Sequence, residues 1–436
     1  MRVFTMAAVL AGVCSVTMAA RAPQSLNAND LLKLDNMLRD GYEAVKKNYY
    51  DPAFHGVDLD ARFKEYRERL KAVPTMSVGF TTVAAFLDPL KDSHTSFLPP
   101  SRSVSLDYGY QLQVVGDDVF VVRVRPDTDA ATKVHAGDQL LTLNNGGVGR
   151  ESFARMQYLL QILQPQPSTT LQLKAPGGDV RTVAVTTKVT QGRALRNLSG
   201  AGAGMEFQDL ELQQEALDHL MRQRHLEQHG VMIWKMPAFT MERGEIDDLI
   251  ELARKQQTLI LDLRGNPGGL VDRLQRLVGS LFAKDLPMAT RVTRKGMDQL
   301  TAKTRGDKAF TGKLIVLVDS ASASCSELLA RIVQLEQRGT VIGDRSAGAV
   351  MESRLFPFAV GEPVVTLYQF FVTDADLRMR DGKSLEGAGV LPDERMLPSA
   401  ADLAAGRDPV LARAATLAGW PLDAEAAAKL FPFEWK

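Results

Sequence analysis

Apolar side chains recur at three- and four-residue intervals between residues 25 and 90, a spacing that predicts amphipathic helices. Asn29 or Asp30 is the expected cap of the first helix. The helical pattern stops at Pro89, because proline lacks the N–H that a helix interior requires. The polar loop that follows contains His94.

From residue 104 to about residue 187 the pattern changes to short alternating runs, which predict strands. Turn residues at 144–147 and 176–179 separate these runs, and the second group predicts a hairpin. One helix is expected over residues 152–163. This segment is therefore predicted to be a small β-rich domain.

Two strand–turn–helix units follow later in the chain. Continuous apolar runs at 258–263 and 313–319 predict buried strands. A glycine-rich turn and a helix over 270–282 follow the first strand, and a serine-rich turn at 320–327 leads from the second strand into another helix. Buried strands that alternate with helices predict an α/β domain.

The polar segment 207–230 is predicted to be helical and contains His219, His225 and His229. The last two histidines are four residues apart and could bind a metal on one helix face. However, no glutamate completes an H-E-x-x-H pattern, and no third ligand is evident. A solvated helix face is the favoured interpretation, so no metal site is predicted.

Charge and composition exclude several classes of function. The 52 basic residues balance 52 acidic ones, so no net positive field would attract nucleic acid. An apolar stretch within residues 1–20 ends in small residues and predicts an export signal; a buried N-terminal helix is the alternative. We expect a periplasmic or extracellular protein with no membrane span after signal removal, and with Cys325 as its only cysteine.

The two turns carry the candidate chemistry. Glycines let the backbone approach a substrate, and N–H groups at a helix start can stabilise a developing negative charge. A serine hydroxyl on a strand-to-helix turn is accessible to a substrate. Four serines occupy the second turn at positions 320, 322, 324 and 326, and spacing does not distinguish them. Ser324 with Glu327 also fits a capping box, which would be purely structural.

Four motifs stand out along the chain: D-S-H-T at 92–95, D-L-R-G-N-P-G-G at 262–269, S-A-S-C-S-E at 322–327 and E-G-A-G-V-L-P-D at 386–393. Together they resemble the motifs of the C-terminal processing and tricorn-core serine peptidases. The resemblance spans most of the chain after the export signal, in the family's domain order. It implies a helical domain over 25–103, a PDZ-like domain over 104–190 and a crotonase-like α/β protease domain over 205–436.

The resemblance implies that Ser324 is the nucleophile and that Cys325 supplies one N–H of an oxyanion hole. The second N–H would come from Gly268 or Gly269. Processing peptidases of the family pair the serine with a lysine about 25 residues later, but this chain has Ala349 at that place.

The tricorn-like branch uses a histidine that a serine orients, with help from a glutamate. The matching residues here are His94, Ser93 and Glu386. Because neutral histidine accepts a proton at ordinary pH, His94 is the predicted base. The chain therefore resembles the tricorn-like branch more closely than the processing peptidases.

Tyr108, Gly109 and Tyr110 stand where PDZ domains have their carboxylate-binding loop. In such domains a peptide adds a strand to the sheet edge while backbone N–H groups hold its terminal carboxylate. These three residues are the predicted peptide-binding site. A small barrel that only spaces the flanking domains is the alternative.

The predicted function is that of an exported serine endopeptidase, which cleaves peptide or protein substrates through an acyl-enzyme and needs no metal or organic cofactor. A catalytically inactive peptide-binding scaffold that lost activity together with the lysine is the alternative. A different acyl-handling enzyme on a crotonase-like fold is disfavoured, because no basic phosphate-binding cluster accompanies the glycines. Neither the preferred substrate nor the oligomeric state follows from the sequence.

Overall fold

The computed structural model describes residues 26–102, 104–191, 223–361, 365–433 and 435. The predicted export signal and His219 lie outside these residues. Within them, none of the helices has both the length and the apolar character that crossing a membrane requires.

Three helices precede the first strand, as the apolar spacing predicts: α1 (Ala28–Asn48), α2 (Leu59–Leu70), α3 (Met76–Ala85) and then β1 (Ser96–Leu98). The prediction of the first cap was wrong by two or three positions. Asn27 caps α1, because its side-chain oxygen accepts the N–H of Asp30 at 2.9 Å. The Asp30 carboxylate in turn accepts the N–H of Asn27 at 3.3 Å, which completes a capping box.

The β-rich unit follows the helices. Its elements are β2 (Val104–Asp107), β3 (Tyr110–Val115), β4 (Asp118–Val124), β5 (Gln139–Leu143), β6 (Gly146–Gly147), α4 (Arg150–Gln157), which continues as a π-helix (Tyr158–Leu163), β7 (Ser168–Lys174), β8 (Val180–Thr186) and β9 (Lys188–Gln191). The predicted helix and the predicted hairpin are both confirmed. The main sheet has the order β3-β4-β5-β7-β8, so β3 lies at its edge.

The remaining chain forms a larger α/β unit. Its elements are β10 (Arg224–Gln228), β11 (Val231–Lys235), α5 (Arg243–Ala253), β12 (Thr258–Asp262), α6 (Val271–Leu281), β13 (Leu286–Thr293), β14 (Gly296–Ala302), β15 (Lys313–Val318), α7 (Cys325–Leu335), β16 (Thr340–Gly343), β17 (Met351–Val360), β18 (Thr366–Met379), β19 (Glu394–Arg395), α8 (Ala400–Ala404), α9 (Pro409–Leu417) and α10 (Ala424–Lys429). One sheet has the order β10-β11-β12-β15-β16-β19, and every pair from β11 to β19 is parallel.

Both faces of this parallel sheet are covered, which explains its continuous apolar strands. Along β12, Leu259 and Leu261 face one core together with α5, α6 and α7. Ile260 faces the opposite core, to which α9 and α10 contribute. Because successive side chains of a strand alternate between faces, an unbroken apolar run is what a doubly covered strand requires.

A second sheet connects the α/β unit to the N-terminal helices. Its order is β1-β18-β13-β14, with β17 paired to β18. Leu377 of β18 packs in the core of the α/β unit, whereas Phe370 packs among α1 and α3. A Cβ at Gly41 would lie 2.5 Å from the Phe370 ring, so glycine permits the close approach of α1 to the sheet. The helices therefore share their core with β18.

The helix predicted over residues 207–230 is wrong in its described part, because residues 224–228 form β10. His225 pairs with Trp234 across the antiparallel β10–β11 ladder. His229 and Gly230 both have positive φ, +52° and +73°, as the two central residues of a type I′ hairpin turn require. The i, i+4 spacing of the two histidines therefore does not describe a helix face.

Candidate active site

The two strand-to-helix turns lie side by side because β12 and β15 are parallel neighbours. Asn266 in the first turn connects them: its carbonyl oxygen accepts the N–H of Ala323 and the hydroxyl of Ser326, each at 3.0 Å. The Asn266 side chain is fully buried and donates to the carbonyl of Met236 at 2.9 Å. The glycine-rich turn is thus fixed against the serine-rich turn at the carboxyl edge of the sheet.

The structure distinguishes the four serines that spacing could not. The hydroxyls of Ser320, Ser322 and Ser326 each donate to a backbone carbonyl, on Val114 (2.6 Å), Leu263 (2.8 Å) and Asn266 (3.0 Å) respectively. Three of the four hydroxyls therefore have structural roles.

Ser324 is held instead through its backbone, in a conformation with φ +54° and ψ −116° at the start of α7. Such a conformation is costly for a residue with a Cβ and is found mainly at functional sites. The Ser324 N–H donates to the carbonyl of Ala349 at 2.8 Å, and the N–H of Glu327 donates to the Ser324 carbonyl at 2.9 Å. The predicted capping box between Ser324 and Glu327 is present, with the Ser324 N–H also donating to the Glu327 carboxylate at 3.1 Å.

Glu327 has a larger role than the capping box suggested. Its fully buried carboxylate accepts N–H groups from Ser324 (3.1 Å), Gly348 (2.7 Å) and Ala349 (2.9 Å), and the hydroxyl of Ser346 (2.6 Å). Burial raises the pKa of the Glu327 carboxyl, although these donors oppose the shift. Glu327 thus positions the segment 346–349 against the turn that carries Ser324.

Gly268 lies directly against Ser324. A Cβ at Gly268, where φ is +99°, would lie 2.6 Å from the Ser324 Cβ and 3.0 Å from the Cys325 nitrogen. The Gly268 N–H already donates to the Asn266 side-chain oxygen at 2.8 Å. Gly269 lies next to the same helix start, because its carbonyl accepts the Cys325 thiol at 3.4 Å.

The early loop and the late loop meet, although Ser93 and Glu386 are 293 positions apart. Glu386 Oε1 accepts the Ser93 N–H at 2.6 Å, and Oε2 accepts the Ser93 hydroxyl at 3.0 Å. The Ser93 oxygen lies 2.7 Å from His94 Nδ1. Because the Ser93 hydroxyl donates to Glu386, its oxygen accepts the proton of Nδ1, which leaves Nε2 of His94 as a proton acceptor.

Two further effects act on His94. Burial lowers its pKa below the ordinary value of histidine, while the nearby Asp92 carboxylate opposes that shift. Asp92 also orders the loop, because its Oδ1 accepts the N–H groups of His94 (3.0 Å) and Thr95 (2.6 Å) and the hydroxyl of Thr373 (2.7 Å). Sequence analysis did not identify Asp92 or Thr373, although Asp92 belongs to the D-S-H-T motif.

A short backbone segment connects this histidine loop to the serine turn. Glu386 Oε2 accepts the N–H of Val350 at 2.8 Å, and the preceding residue, Ala349, accepts the N–H of Ser324 at 2.8 Å. Burial raises the pKa of the Glu386 carboxyl. His94, Ser93, Glu386 and Ser324 therefore belong to one hydrogen-bonded network, and Ala349 occupies the position beside Ser324 where the lysine of the processing peptidases is expected.

The predicted peptide-binding residues lie apart from this network, at a cavity of about 330 Å³ between the β-rich unit and the two turns. Tyr108 and Tyr110 line the cavity, as do Gly265 and Asp319 of the two turns, whereas Gly109 is not among the lining residues. The Tyr108 hydroxyl donates to the carbonyl of Leu160, and the Tyr110 hydroxyl lies 3.0 Å from that of Thr169. The cavity is therefore bounded by the edge strand β3, by the π-helix and by both turns.

A serine at a strained strand-to-helix turn, an adjacent glycine turn and a histidine held by a serine and a carboxylate are the features expected of a serine-type peptidase. Comparison with known proteins agrees: the profile of peptidase family S41 matches residues 231–396, and that of the tricorn protease C1 domain matches residues 33–77. These matches identify the α/β unit from β11 to β19 as a serine-type peptidase domain of family S41.

Individual relatives are distant. The chain is 21% identical to carboxyl-terminal-processing peptidase 3, chloroplastic, of Arabidopsis thaliana, over 84% of this chain and 69% of the relative. It is 24% identical to the tail-specific protease of Haemophilus influenzae, over 66% of this chain and 41% of that protein. Mature CPAF has the same fold, with a TM-score of 0.61 and 16% identity over 86% of this chain and 94% of that one.

Proposed function

We propose that the chain is an exported serine endopeptidase in which Ser324 is the nucleophile and His94 the general base. The observation that carries the proposal is the network that joins Ser93, His94 and Glu386 to the Ser324 backbone through Ala349 and Val350. A scaffold without catalysis would not need one backbone segment, Ala349–Val350, that contacts both a strained serine and the carboxylate of the histidine loop.

The reaction proceeds by acyl transfer. The Ser324 oxygen attacks the peptide carbonyl carbon while its proton moves to His94 Nε2, and the carbonyl oxygen becomes an oxyanion. The C–N bond then breaks, and the proton on Nε2 passes to the leaving amine. Water, deprotonated by the same nitrogen, attacks the ester and releases the acid and the free serine.

The histidine replaces the lysine of the processing peptidases. Because burial lowers the pKa of His94, its imidazole is neutral at ordinary pH and ready to accept the serine proton. Ser93 orients the ring, and Glu386 holds Ser93 through both its N–H and its hydroxyl. The mechanism calls for no metal and no organic cofactor.

The oxyanion site consists of the Cys325 N–H and a glycine N–H of the first turn. Gly269 is the better candidate for the second donor, since the N–H of Gly268 is engaged by Asn266. Gly268 remains essential in this proposal, because its missing side chain leaves room for Ser324 and the Cys325 nitrogen.

The β-rich unit serves as a PDZ-like peptide-binding domain. An extended peptide would pair with the edge strand β3 and place side chains in the cavity lined by Tyr108 and Tyr110. Its substrates are peptides or proteins. The division into a helical domain (25–103), a PDZ-like domain (104–190) and a crotonase-like protease domain (205–436) and the export signal (1–20) are parts of the same proposal.

Cleavage of a mixed peptide library by the mature chain tests the proposal. We expect cleavage within peptides by the parent protein, none by Ser324→Ala, and near-parental cleavage by Ser320→Ala. The Ser320 variant is the matched control, because it removes a hydroxyl from the same turn that bonds to the Val114 carbonyl. Equal product patterns from parent and Ser324→Ala would contradict the proposed nucleophile.

The same experiment distinguishes the peptidase from the catalytically inactive scaffold. The scaffold alternative is favoured by Ala349, which stands where the processing peptidases have their lysine. A scaffold would bind library peptides without cleaving any of them. Mass spectrometry of the library after long incubation distinguishes the two outcomes, since even slow turnover accumulates new peptide ends.

A further inference from the structure

Arg264 opens the glycine-rich turn at 264–269 and binds two carboxylates at once. Its Nε and Nη2 donate to the two oxygens of Asp262 at 2.9 and 2.8 Å. Its Nη1 and Nη2 donate to the two oxygens of Asp408 at 2.8 Å each. A planar guanidinium can bind a carboxylate through two parallel hydrogen bonds, and here it does so on two of its edges. We call Asp262, Arg264 and Asp408 the arginine clamp.

The clamp is a balanced set of charges that is largely shielded from water. The Asp262 side chain is 1% exposed and that of Arg264 17%. Lys235 Nζ lies 3.1 Å from Asp262 Oδ2, so two cations face two anions. Burial alone would raise the pKa of Asp262, but Arg264 and Lys235 hold it below its ordinary value. Because solvent and salt screen such pairs little, we expect the clamp to keep one geometry.

One end of the clamp belongs to the C-terminal helices. Asp408 caps α9, since its Oδ1 accepts the N–H of Leu411 at 3.0 Å. The Asp408 N–H donates to the carbonyl of Ala424, at the start of α10, at 2.8 Å. Val410 and Leu411 pack in the core that covers one face of β12. The Asp408 carboxylate is therefore held by packing that does not involve the glycine-rich turn.

The other end belongs to the turn that supplies the proposed oxyanion donor. Gly265, Gly268 and Gly269 have φ of +76°, +99° and +143°. Because glycine populates both signs of φ readily, such a turn has little stiffness of its own and depends on its anchors. The N–H of Phe239 anchors its later part by donating to the Gly268 carbonyl at 2.8 Å. Arg264 anchors its first residue against the C-terminal helices.

We propose that Asp408, acting through Arg264, positions the glycine N–H of the oxyanion site. This inference rests on the proposed function, because it concerns the donor assigned there. Arg264 stands four residues before Gly268 and five before Gly269, so a shift of its backbone is transmitted along the turn to the donor. Asp408 and Arg264 are thus positioning residues. Displacing a donor should cost less than the 10²–10³-fold loss of removing one, so we expect a loss of about tenfold.

Two asparagine variants test the proposal with a matched control. Asp408→Asn keeps the helix cap, because asparagine caps about as well as aspartate, but it places an amide NH₂ opposite the guanidinium. Asp423→Asn makes the same change at the cap of α10, where the carboxylate accepts the N–H of Ala426 at 2.7 Å. In the described part of the chain no arginine hydrogen-bonds to Asp423.

Kinetics and two inhibitors separate the oxyanion site from substrate binding. The substrate is a fluorogenic peptide from the library experiment, and the inhibitors are an aldehyde and an alcohol with the sequence that precedes its cleaved bond. The Ser324 oxygen adds to the aldehyde carbon while its proton moves to His94, so the aldehyde oxygen becomes an oxyanion in the same site. The alcohol cannot form this adduct.

Asp408→Asn should lose about tenfold in kcat and in aldehyde affinity, whereas KM and alcohol affinity should change by less than about twofold. Arg264→Lys should show the same selective loss, because lysine keeps the charge but not the planar fork. Asp408→Glu, which restores a carboxylate, should recover part of the loss. Asp423→Asn should match the parent in all four measurements.

Hydrogen exchange of residues 264–270, followed by mass spectrometry, examines the turn without catalysis. Exchange should be faster in Asp408→Asn than in Asp423→Asn, and thermal unfolding identifies the variants that are folded at the assay temperature. If Asp408→Asn does not fold, Arg264→Lys takes its place with the same expected results.

A folded clamp variant with parental kcat, or with unchanged exchange of the turn, would overturn the proposal. An equal loss of affinity for aldehyde and alcohol would also overturn it, because the defect would then lie in substrate binding. A parent chain that cleaves nothing would contradict the proposed function instead, while the exchange rates would still decide whether the clamp holds the turn.

Discussion

A methyl group at Gly268 is expected to move the proposed nucleophile. The added Cβ would lie 2.6 Å from the Ser324 Cβ, whereas carbon atoms in contact are about 3.5–4.0 Å apart. The two turns must therefore separate by about 1 Å, because the added Cβ would also lie only 3.0 Å from the Ala323 oxygen and from the Cys325 nitrogen of the same serine turn. A displacement of this size costs about 10²-fold in rate at a preorganised site, so we expect such a loss in kcat for Gly268→Ala.

The matched control is Gly265→Ala in the same turn. Both glycines have positive φ, +99° at Gly268 and +76° at Gly265, so each alanine costs about 1–2 kcal/mol of conformational energy. Around a Cβ at Gly265, however, no atom lies within 4 Å. Thermal unfolding should therefore show a loss of stability in both variants, larger in Gly268→Ala because of its added clash, whereas hydrolysis of a fluorogenic peptide should show a large loss of kcat in Gly268→Ala alone.

Two outcomes would refute this reasoning. The first is a Gly268→Ala protein with at least half of the parental kcat, which would mean that contact with Ser324 is unimportant. The second is an equal loss of kcat in both variants, which would assign the effect to backbone strain alone.

Three further predictions concern titration and burial. Asp92→Asn removes a carboxylate that raises the pKa of His94, so the pKa of His94 should fall. Because only the neutral imidazole accepts the serine proton, the acid limb of the kcat/KM profile should move to lower pH. Glu327→Gln should lower both the unfolding temperature and kcat, since its amide would face the N–H groups of Ser324 and Ala349, and each unpaired buried donor costs about 1–3 kcal/mol. Burial raises the pKa of Cys325 to about 12, so iodoacetamide at pH 8 should modify this thiol only after unfolding, as measured by mass spectrometry.

Local patterns predicted the elements that carry the site. The strands before both turns are continuous apolar runs, and the helix predicted over 270–282 is observed as α6. These predictions succeeded because a strand covered on both faces requires an unbroken apolar run, whereas a helix with one apolar face requires apolar residues every three or four positions. The regular alternation of the four serines does not indicate which of them is reactive. Only the contacts of their hydroxyls distinguish Ser324 from the others.

Contacts between distant segments could not be predicted from spacing. Ser93 and Glu386 meet across 293 positions, because β1 pairs with β18 and thereby brings the early loop to the α/β unit. The motif resemblance supplied these residues as candidates, and the geometry shows how they contact each other. Their roles in proton transfer remain predictions.

One wrong prediction and one incomplete interpretation have the same origin in weak local signals. Residues 224–228 contain charged and polar side chains typical of a solvated helix, yet they form the edge strand β10, where pairing to β11 decides the conformation. Glu327 looked like an ordinary helix cap, because only its spacing from Ser324 was visible. Its contacts with Ser346 and Gly348 depend on a loop that reaches it from 19 and 21 positions away.

The most direct test of the central claim is the rate at which a fluorophosphonate inactivates the protein, with the labelled residue located by tandem mass spectrometry. Our account predicts a single label on Ser324 and labelling about 10²–10⁴-fold slower in His94→Ala, because the general base is lost. Labelling of Ser324 at an unchanged rate in His94→Ala, or labelling of a different serine, would contradict it.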